Sequence, residues 1–361
     1  MAASHPPFGR FFLPGPTDVH PEVLQAMVHP MFAHRGPDMR AMLERMALPL
    51  KRLFRTERPI LMSTSSATGF MEGAIRSGVR KRVLVVDGGF FGDRFARIAE
   101  RNGKEVVRVP VELGRTVEPD ELDGWLGKHD VDAVALVHCE TSTGALAPLE
   151  ELARVVRRRD DVVLLVDAVT SIGGSPVETD AWGLDFVFTG TQKALAMPPG
   201  IALAAASERM VERARWQEQP GWYFDLVLHE EAIEDHQPTQ TPCIPLYLAL
   251  ECQLKRIEAE GGVEARWARH REMLTMMERW VAAHPAWGFF APEGRRAWTV
   301  SALKPPKGKT GREIVAEVAE HGYTIGAGLD ALADSMVRIG HMGDLTPEHF
   351  RGLLGVVGQT S

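Results

Sequence analysis

Cysteine is scarce: the 361 residues hold three, Cys139, Cys243 and Cys252. Their spacing matches no zinc-holding pair and gives no even-numbered disulfide framework, so no metal is expected and a disulfide-stapled secreted scaffold is excluded. A reducing, cytoplasmic setting is expected. Long apolar runs are missing too, with nothing near the ~20 residues that cross a bilayer. Met1 to Phe12 lacks the basic start and apolar core of a signal peptide. Positive charge is in deficit, at a formal net charge of -7, and the two signs are interspersed, which leaves no electrostatic footprint for nucleic acid. The one basic run, Arg157 to Arg159, is followed at once by Asp160 and Asp161 and reads as a solvated helix end. There is no internal repeat and no low-complexity tract.

What remains is an ordinary globular balance, 45% hydrophobic and 25% charged, in a chain long enough for a large lobe and a smaller one. Apolar runs of strand length alternate with helical spacing, the pattern of an α/β domain with a mainly parallel sheet. The candidate strands are 59–62, 82–87, 105–109, 133–138, 162–167, 186–190 and 200–206. Segments 91–102 and 149–158 carry helical spacing between them. After about Pro245 long amphipathic helices follow, at 246–260 and 263–284, and then shorter elements: strands at 297–302, 324–326 and 335–339 and a helix at 312–321. This second pattern predicts a small lobe.

Ligands in an open parallel sheet bind at the carboxyl ends of strands, so polar residues just after apolar runs are the first candidates. Asp167 ends the run Val162 to Val166, where an unpartnered carboxylate would be costly; an N-cap for the turn Ala168 to Ser171 explains it equally well. Lys193 follows the run Phe186 to Gly190, 26 residues after Asp167, in the apolar company of Ala194 to Met197. Burial there would depress its pKa and make its amine nucleophilic, although a lone lysine is usually a surface residue. Together the two suit pyridoxal 5′-phosphate (PLP), which needs an amine for its aldehyde and a carboxylate for its ring nitrogen. A phosphate cradle fits Ser63 to Gly69, small residues between a strand and a helix opening near Phe70; a capped Ser/Thr turn is the plainer reading.

Four ordered stretches carry a resemblance: His138 to Gly144, Val166 to Gly174, Thr189 to Leu195, and Pro198-Pro199-Gly200. With Leu13 to Thr17, Thr241-Pro242 and Val337 to Gly340, the sequence resembles class V aminotransferases of the alanine-glyoxylate and serine-pyruvate type over essentially its whole length. The resemblance implies a type I PLP-transferase fold, aspartate-aminotransferase-like, with a large seven-stranded domain at 17–250 and a small α+β domain from 1–16 and 251–361. It makes Lys193 the Schiff-base lysine and general base, and Asp167 the pyridinium partner. It sets Phe91, where the family often has Trp, on one ring face and Val169 on the other. Thr141 would face the phenolic oxygen, with Ser66, Ala67, Thr68 and Gln192 around the phosphate. Thr241 would reach the phosphate of a second subunit, which implies a homodimer; a tyrosine often found three residues earlier is Pro238 here. Arg338 would grip the substrate carboxylate as a bidentate fork, unless it is an edge-strand arginine paired with Asp334 or Asp344. Arg35, in His34-Arg35, would meet a second anionic group, or form an ion pair between subunits.

The expected reaction moves the amino group of alanine or serine to glyoxylate or pyruvate. Phosphoserine and 2-aminoethylphosphonate are the rival donors. A PLP lyase of the cysteine-desulfurase kind would need a thiol on a mobile C-terminal loop, yet no cysteine follows Cys252. A non-catalytic relative would be expected to have lost Lys193, Asp167 or Arg338. His138, at a strand end, is expected to be a satisfied structural histidine, and Met273, Met276 and Met277 are expected in the core.

Overall fold

The computed structural model describes residues 7–360. Met1 to Pro6, which belong to the 1–16 segment and to the stretch read for a signal peptide, lie outside the described residues, as does Ser361. Seven strands form the main sheet: β1 (Ile60–Ser63), β2 (Arg82–Asp87), β3 (Glu105–Pro110), β4 (Ala133–Val137), β5 (Val163–Asp167), β6 (Phe186–Gly190) and β7 (Ala202–Ala206). Their order is β1-β7-β6-β5-β4-β2-β3. All seven match predicted runs to within two residues. The reason is visible in the burial: along β4 to β7 alternate residues enter two different cores, with Val134, Leu136, Leu164 and Val166 on one face and Ala133, Ala135, Val163 and Leu165 on the other. A strand covered on both faces has to read as a continuous apolar run.

The fold is α/β, with a mainly parallel sheet. One strand departs from that direction: β7 runs antiparallel to both β6 and β1. Residues 191–201 between β6 and β7 contain no helix, and an antiparallel return needs none, whereas a parallel neighbour needs a long crossover. That helix-free return carries Lys193.

Two helices matter to the site. Helix α1 (Ala67–Gly78) starts three residues before the predicted Phe70, because Ser66 is already its N-cap, and α2 (Phe90–Arg101) follows β2. Two long helices, α3 (Ile244–Glu260) and α4 (Gly262–Ala283), turn at Gly261, whose φ of 112° suits a residue without a side chain. They lead to a second sheet of β8 (Gly288–Phe289), β9 (Val300–Lys304), β10 (Gly326–Ala327) and β11 (Val337–Gly340), in the order β8-β9-β11-β10. Met273 and Met277 are fully buried beneath this sheet with Phe350 and Val337, and Met276 packs on the same cluster. The N-terminal segment joins the second sheet: Phe12 N–H donates to the Thr324 carbonyl and Gly340 N–H to the Phe12 carbonyl.

The basic run ends a helix, as expected. Helix 149–156 stops just before it, and Arg159 pairs with Asp123 at 2.9 Å. No described helix is long and apolar enough to cross a membrane.

Candidate active site

Strand register sets the centre of the site. Asp167, the last residue of β5, lies opposite Val137 on β4 and Phe188 on β6, at the carboxyl edge of the sheet. Its Oδ1 accepts the Val169 N–H at 2.9 Å, so the N-cap reading describes one of its oxygens. Its side chain also lines a cavity of about 280 Å³, and Oδ2 has no protein hydrogen bond among the described residues. Burial drives the carboxyl's pKa up to about 7.

Lys193 shares this cavity. Its ammonium donates to the Pro14 carbonyl, and burial, with Arg338 nearby, lowers its pKa to about 8. An amine at that value is partly uncharged near neutral pH, as a nucleophile requires. Gly15 has a φ of 116°, and a Cβ there would sit 2.5 Å from the Lys193 side chain, so a residue without a side chain is needed at this approach.

Ser66, Ala67 and Thr68 border the same cavity with Gln192. Ala67 and Thr68 open α1, so their N–H groups have no acceptor inside the helix, and the helix dipole favours an anion at this end. Phe91 and Val169 line the cavity as well. These features fit PLP: a lysine for the aldehyde, an unpaired carboxylate oxygen for the ring nitrogen, two apolar residues for the ring, and a helix start for the phosphate.

Four residues stand differently, none of them among the residues lining the cavity. Thr141 is buried beside the cavity, outside its wall; its carbonyl accepts from Arg338 at 3.5 Å. Arg338 lies on β11 between β9 and β10, hence on an inner strand. Its Nε donates to the Ala327 carbonyl at 2.9 Å, and no carboxylate pairs with it among the described residues. Asp334 pairs with Arg312 and Asp344 with Arg266, so the ion-pair alternative for Arg338 fails. Thr241 and Arg35 are exposed and do not line the cavity of their own chain.

Two contributors were missed by the sequence reading. Glu140 is buried and accepts the Phe91 and Gly92 N–H groups at 3.0 and 3.3 Å and the Ser142 hydroxyl at 2.5 Å; it anchors the start of α2, which carries Phe91. Arg94 lines the cavity and lies 5.0 Å from the Phe91 ring centre. Its only sequence signal was its place in the motif Phe90 to Arg94. A larger groove of about 970 Å³, lined by Glu22, Glu251 and Arg256, holds neither Lys193 nor Asp167.

Burial keeps three histidines near the site neutral: His138, pushed down to about 3, His341, to about 4, and His270, well below its usual value. His138 is buried, and against expectation its Nδ1 has no hydrogen-bond partner among the described residues; its ring packs edge-on against Trp182. Histidines in the unfolded chain take up protons below about pH 6.5 while these do not, so stability falls as pH drops, by about 1.4 kcal/mol per group per pH unit. Asp167 acts oppositely: its raised pKa costs stability above pH 7, and that cost is relieved on acidification. Glu140, whose carboxyl burial also pushes up, acts with Asp167, and the three histidines outweigh these two carboxyls. The melting temperature of the cofactor-free protein is expected to fall between pH 6.5 and 4.5; a flat or rising profile would show that the histidines are not held neutral.

The aminotransferase class-V family model matches residues 78–344. An uncharacterized aminotransferase of Methanocaldococcus jannaschii is 37% identical over 339 residues, 92% of this chain and 87% of that protein. The L-aspartate–glyoxylate aminotransferase of Paracoccus denitrificans is 30% identical over 93% of this chain and 86% of its own. The crystal structure of the alanine–glyoxylate aminotransferase from Nostoc sp. superposes with a TM-score of 0.93 at 30% identity, covering 100% of this chain and 96% of that one. Fold, cavity and comparisons converge: the chain belongs to the class V aminotransferases and is a transaminase that works with pyridoxal 5′-phosphate.

Proposed function

We propose that the enzyme passes the amino group of a small L-amino acid, alanine or serine, to glyoxylate or pyruvate in two half-reactions. The observation that carries this reading is the size and charge of the cavity. Its volume of about 280 Å³ lies at the lower edge of the ~300–1,000 Å³ usual for small-molecule sites, and a ring and a phosphate claim much of it. The cations lining it are Lys193 and Arg94, and Arg35 is not among them. A short, uncharged donor side chain suits that space. The Nostoc neighbour named for alanine and glyoxylate supports the choice; the Paracoccus relative shares the glyoxylate and is named for aspartate.

PLP supplies an aldehyde that captures the donor amine and a ring that takes up the electrons released at its Cα. In this reading Lys193 carries the proton from the donor Cα and returns it in the second half-reaction. With PLP bound, Asp167 would keep a proton on the ring nitrogen, Phe91 and Val169 would hold the ring, and Thr141 would serve the phenolic oxygen. Ser66, Ala67, Thr68 and Gln192 hold the phosphate. Arg338, with no carboxylate of its own, takes that of the donor and so fixes which Cα bond is aligned. Thr241 completes the phosphate site of a second subunit, in a homodimer built from domains 17–250 and 1–16 with 251–361. A desulfurase-type reaction lacks its thiol: Cys252 lies within α3 and no cysteine follows it.

The rival donor carries a second anion, as phosphoserine and 2-aminoethylphosphonate do. Its support is Arg35, exposed and without an ion pair among the described residues, which would have to act from the neighbouring subunit. Single-turnover conversion of the loaded enzyme by alanine, serine, aspartate, phosphoserine and 2-aminoethylphosphonate decides between the two. Alanine or serine is expected to react fastest. Preference for a doubly anionic donor, abolished by Arg35→Ala, would overturn the reading.

A further inference from the structure

Arg266 on α4 is an arginine with 0% exposure, outside the wall of the Lys193 cavity. Each arm of its fork is used. Nε donates to the Ala194 carbonyl at 3.0 Å, Nη1 to Glu260 at 3.3 Å and Nη2 to Asp344 at 2.6 Å. Ala194 directly follows Lys193, and Asp344 lies six residues beyond Arg338. One buried side chain therefore bridges the turn that carries the lysine and the segment that continues the arginine strand.

The surroundings strengthen the bridge. Asp344 also accepts from the Gln253 amide at 3.1 Å. Gly343 N–H donates to His270 Nε2 at 3.0 Å, while His270 Nδ1 donates to the Gly174 carbonyl at 3.0 Å. Gly343 has a φ of 77°, and a Cβ there would lie 2.7 Å from that of Ala196. Ala196 has a φ of 51°, a left-handed conformation that is disfavoured for a residue with a Cβ. Such a turn persists only where its surroundings hold it, and its own bond, Ala196 N–H to the Lys193 carbonyl at 2.8 Å, is local.

We propose that Arg266 and Asp344 are positioning residues, a buried pair that registers the Lys193 turn against the Arg338 strand so that the proton-carrying amine and the carboxylate clamp meet the same Cα. Stability alone is a poor reason for the pair, since buried ion pairs are often no more stabilising than apolar side chains of similar volume. Registration explains why its two ends attach beside Lys193 and beyond Arg338. The inference rests on the roles proposed for those two residues.

The test replaces both partners at once, Arg266→Met with Asp344→Leu, which leaves no orphaned charge. The double variant is expected to fold and take up PLP, with KM for the amino donor within about threefold of the parent. Its kcat is expected to fall at least about tenfold, since misplacement by an ångström is enough for such losses. In the cofactor-free protein, amide hydrogen exchange at Ala196 and Met197 should quicken at least about tenfold, and the single Arg266→Lys variant should retain part of both properties. Parental kcat and parental exchange in the double variant would overturn the proposal. Should the double variant not fold, Asp344→Asn removes the charge while keeping the shape, and the same two readouts decide. Failure of the underlying reading is distinct: Lys193→Ala would then retain activity in the parental background.

Discussion

Alanine in place of Lys193 is expected to lower transamination by at least about 10³-fold, near the top of the range for loss of a positioned proton-transfer group. The long-wavelength absorbance of the PLP-loaded enzyme should vanish with it. The fold should survive, for a reason visible at the site. Lys193 is 8% exposed, and burial has already lowered its pKa to about 8, so the folded protein works against this amine rather than depending on it. Truncation removes one donor from the Pro14 carbonyl and opens space into a cavity that already exists. The melting temperature of the cofactor-free variant should therefore stay within a few degrees of the parent. Activity within tenfold of the parent would remove Lys193 from the centre of the mechanism. A collapsed melting temperature would instead make the lysine a structural residue.

The parts of this site that could be read in the sequence are those whose chemistry is local. Asp167 and Lys193 each follow an apolar run, and the runs are long because both faces of the sheet are covered. The direction of β7 was not legible, because an apolar run reads the same in either direction and only the helix-free return 191–201 decides. The start of α1 was misplaced because Ser66, Ala67, Thr68 and Gly69 give little periodic signal. Glu140 went unnoticed for a different reason: its partners, Phe91 and Gly92, lie almost 50 residues earlier and meet it only when β2 and β4 pair. Arg266 and Asp344 are further apart still, 78 residues along the chain, and neither stands in a motif. Thr241 and Arg35 are exposed and do not line the cavity of their own chain, so the roles proposed for them rest on the resemblance and on a second subunit, not on anything local.

Asp167→Asn is expected to slow single-turnover transamination by about 10²–10³-fold, the usual consequence of removing one preorganised electrostatic partner from a reacting group. The substitution is nearly isosteric, and the side-chain carbonyl of the introduced amide can still accept the Val169 N–H, so the turn after β5 should stand. What the variant would lose is the charge proposed to hold a proton on the ring nitrogen. Stability supplies an independent sign. The Asp167 carboxyl has a pKa of about 7 in the folded protein against about 3.9 in an unfolded chain, so folding disfavours its ionised form. That cost is absent below pH 4 and complete above pH 7, where three units correspond to up to about 4 kcal/mol. An amide carries none of it. The cofactor-free variant should accordingly be more stable than the parent at pH 8, with the advantage shrinking as pH falls to 5. Thermal melts at the two pH values check this beside the single-turnover rate. A slow enzyme with no pH-dependent gain would mean that Asp167 is solvated in the free protein; a fast one would mean that the ring nitrogen does not need it.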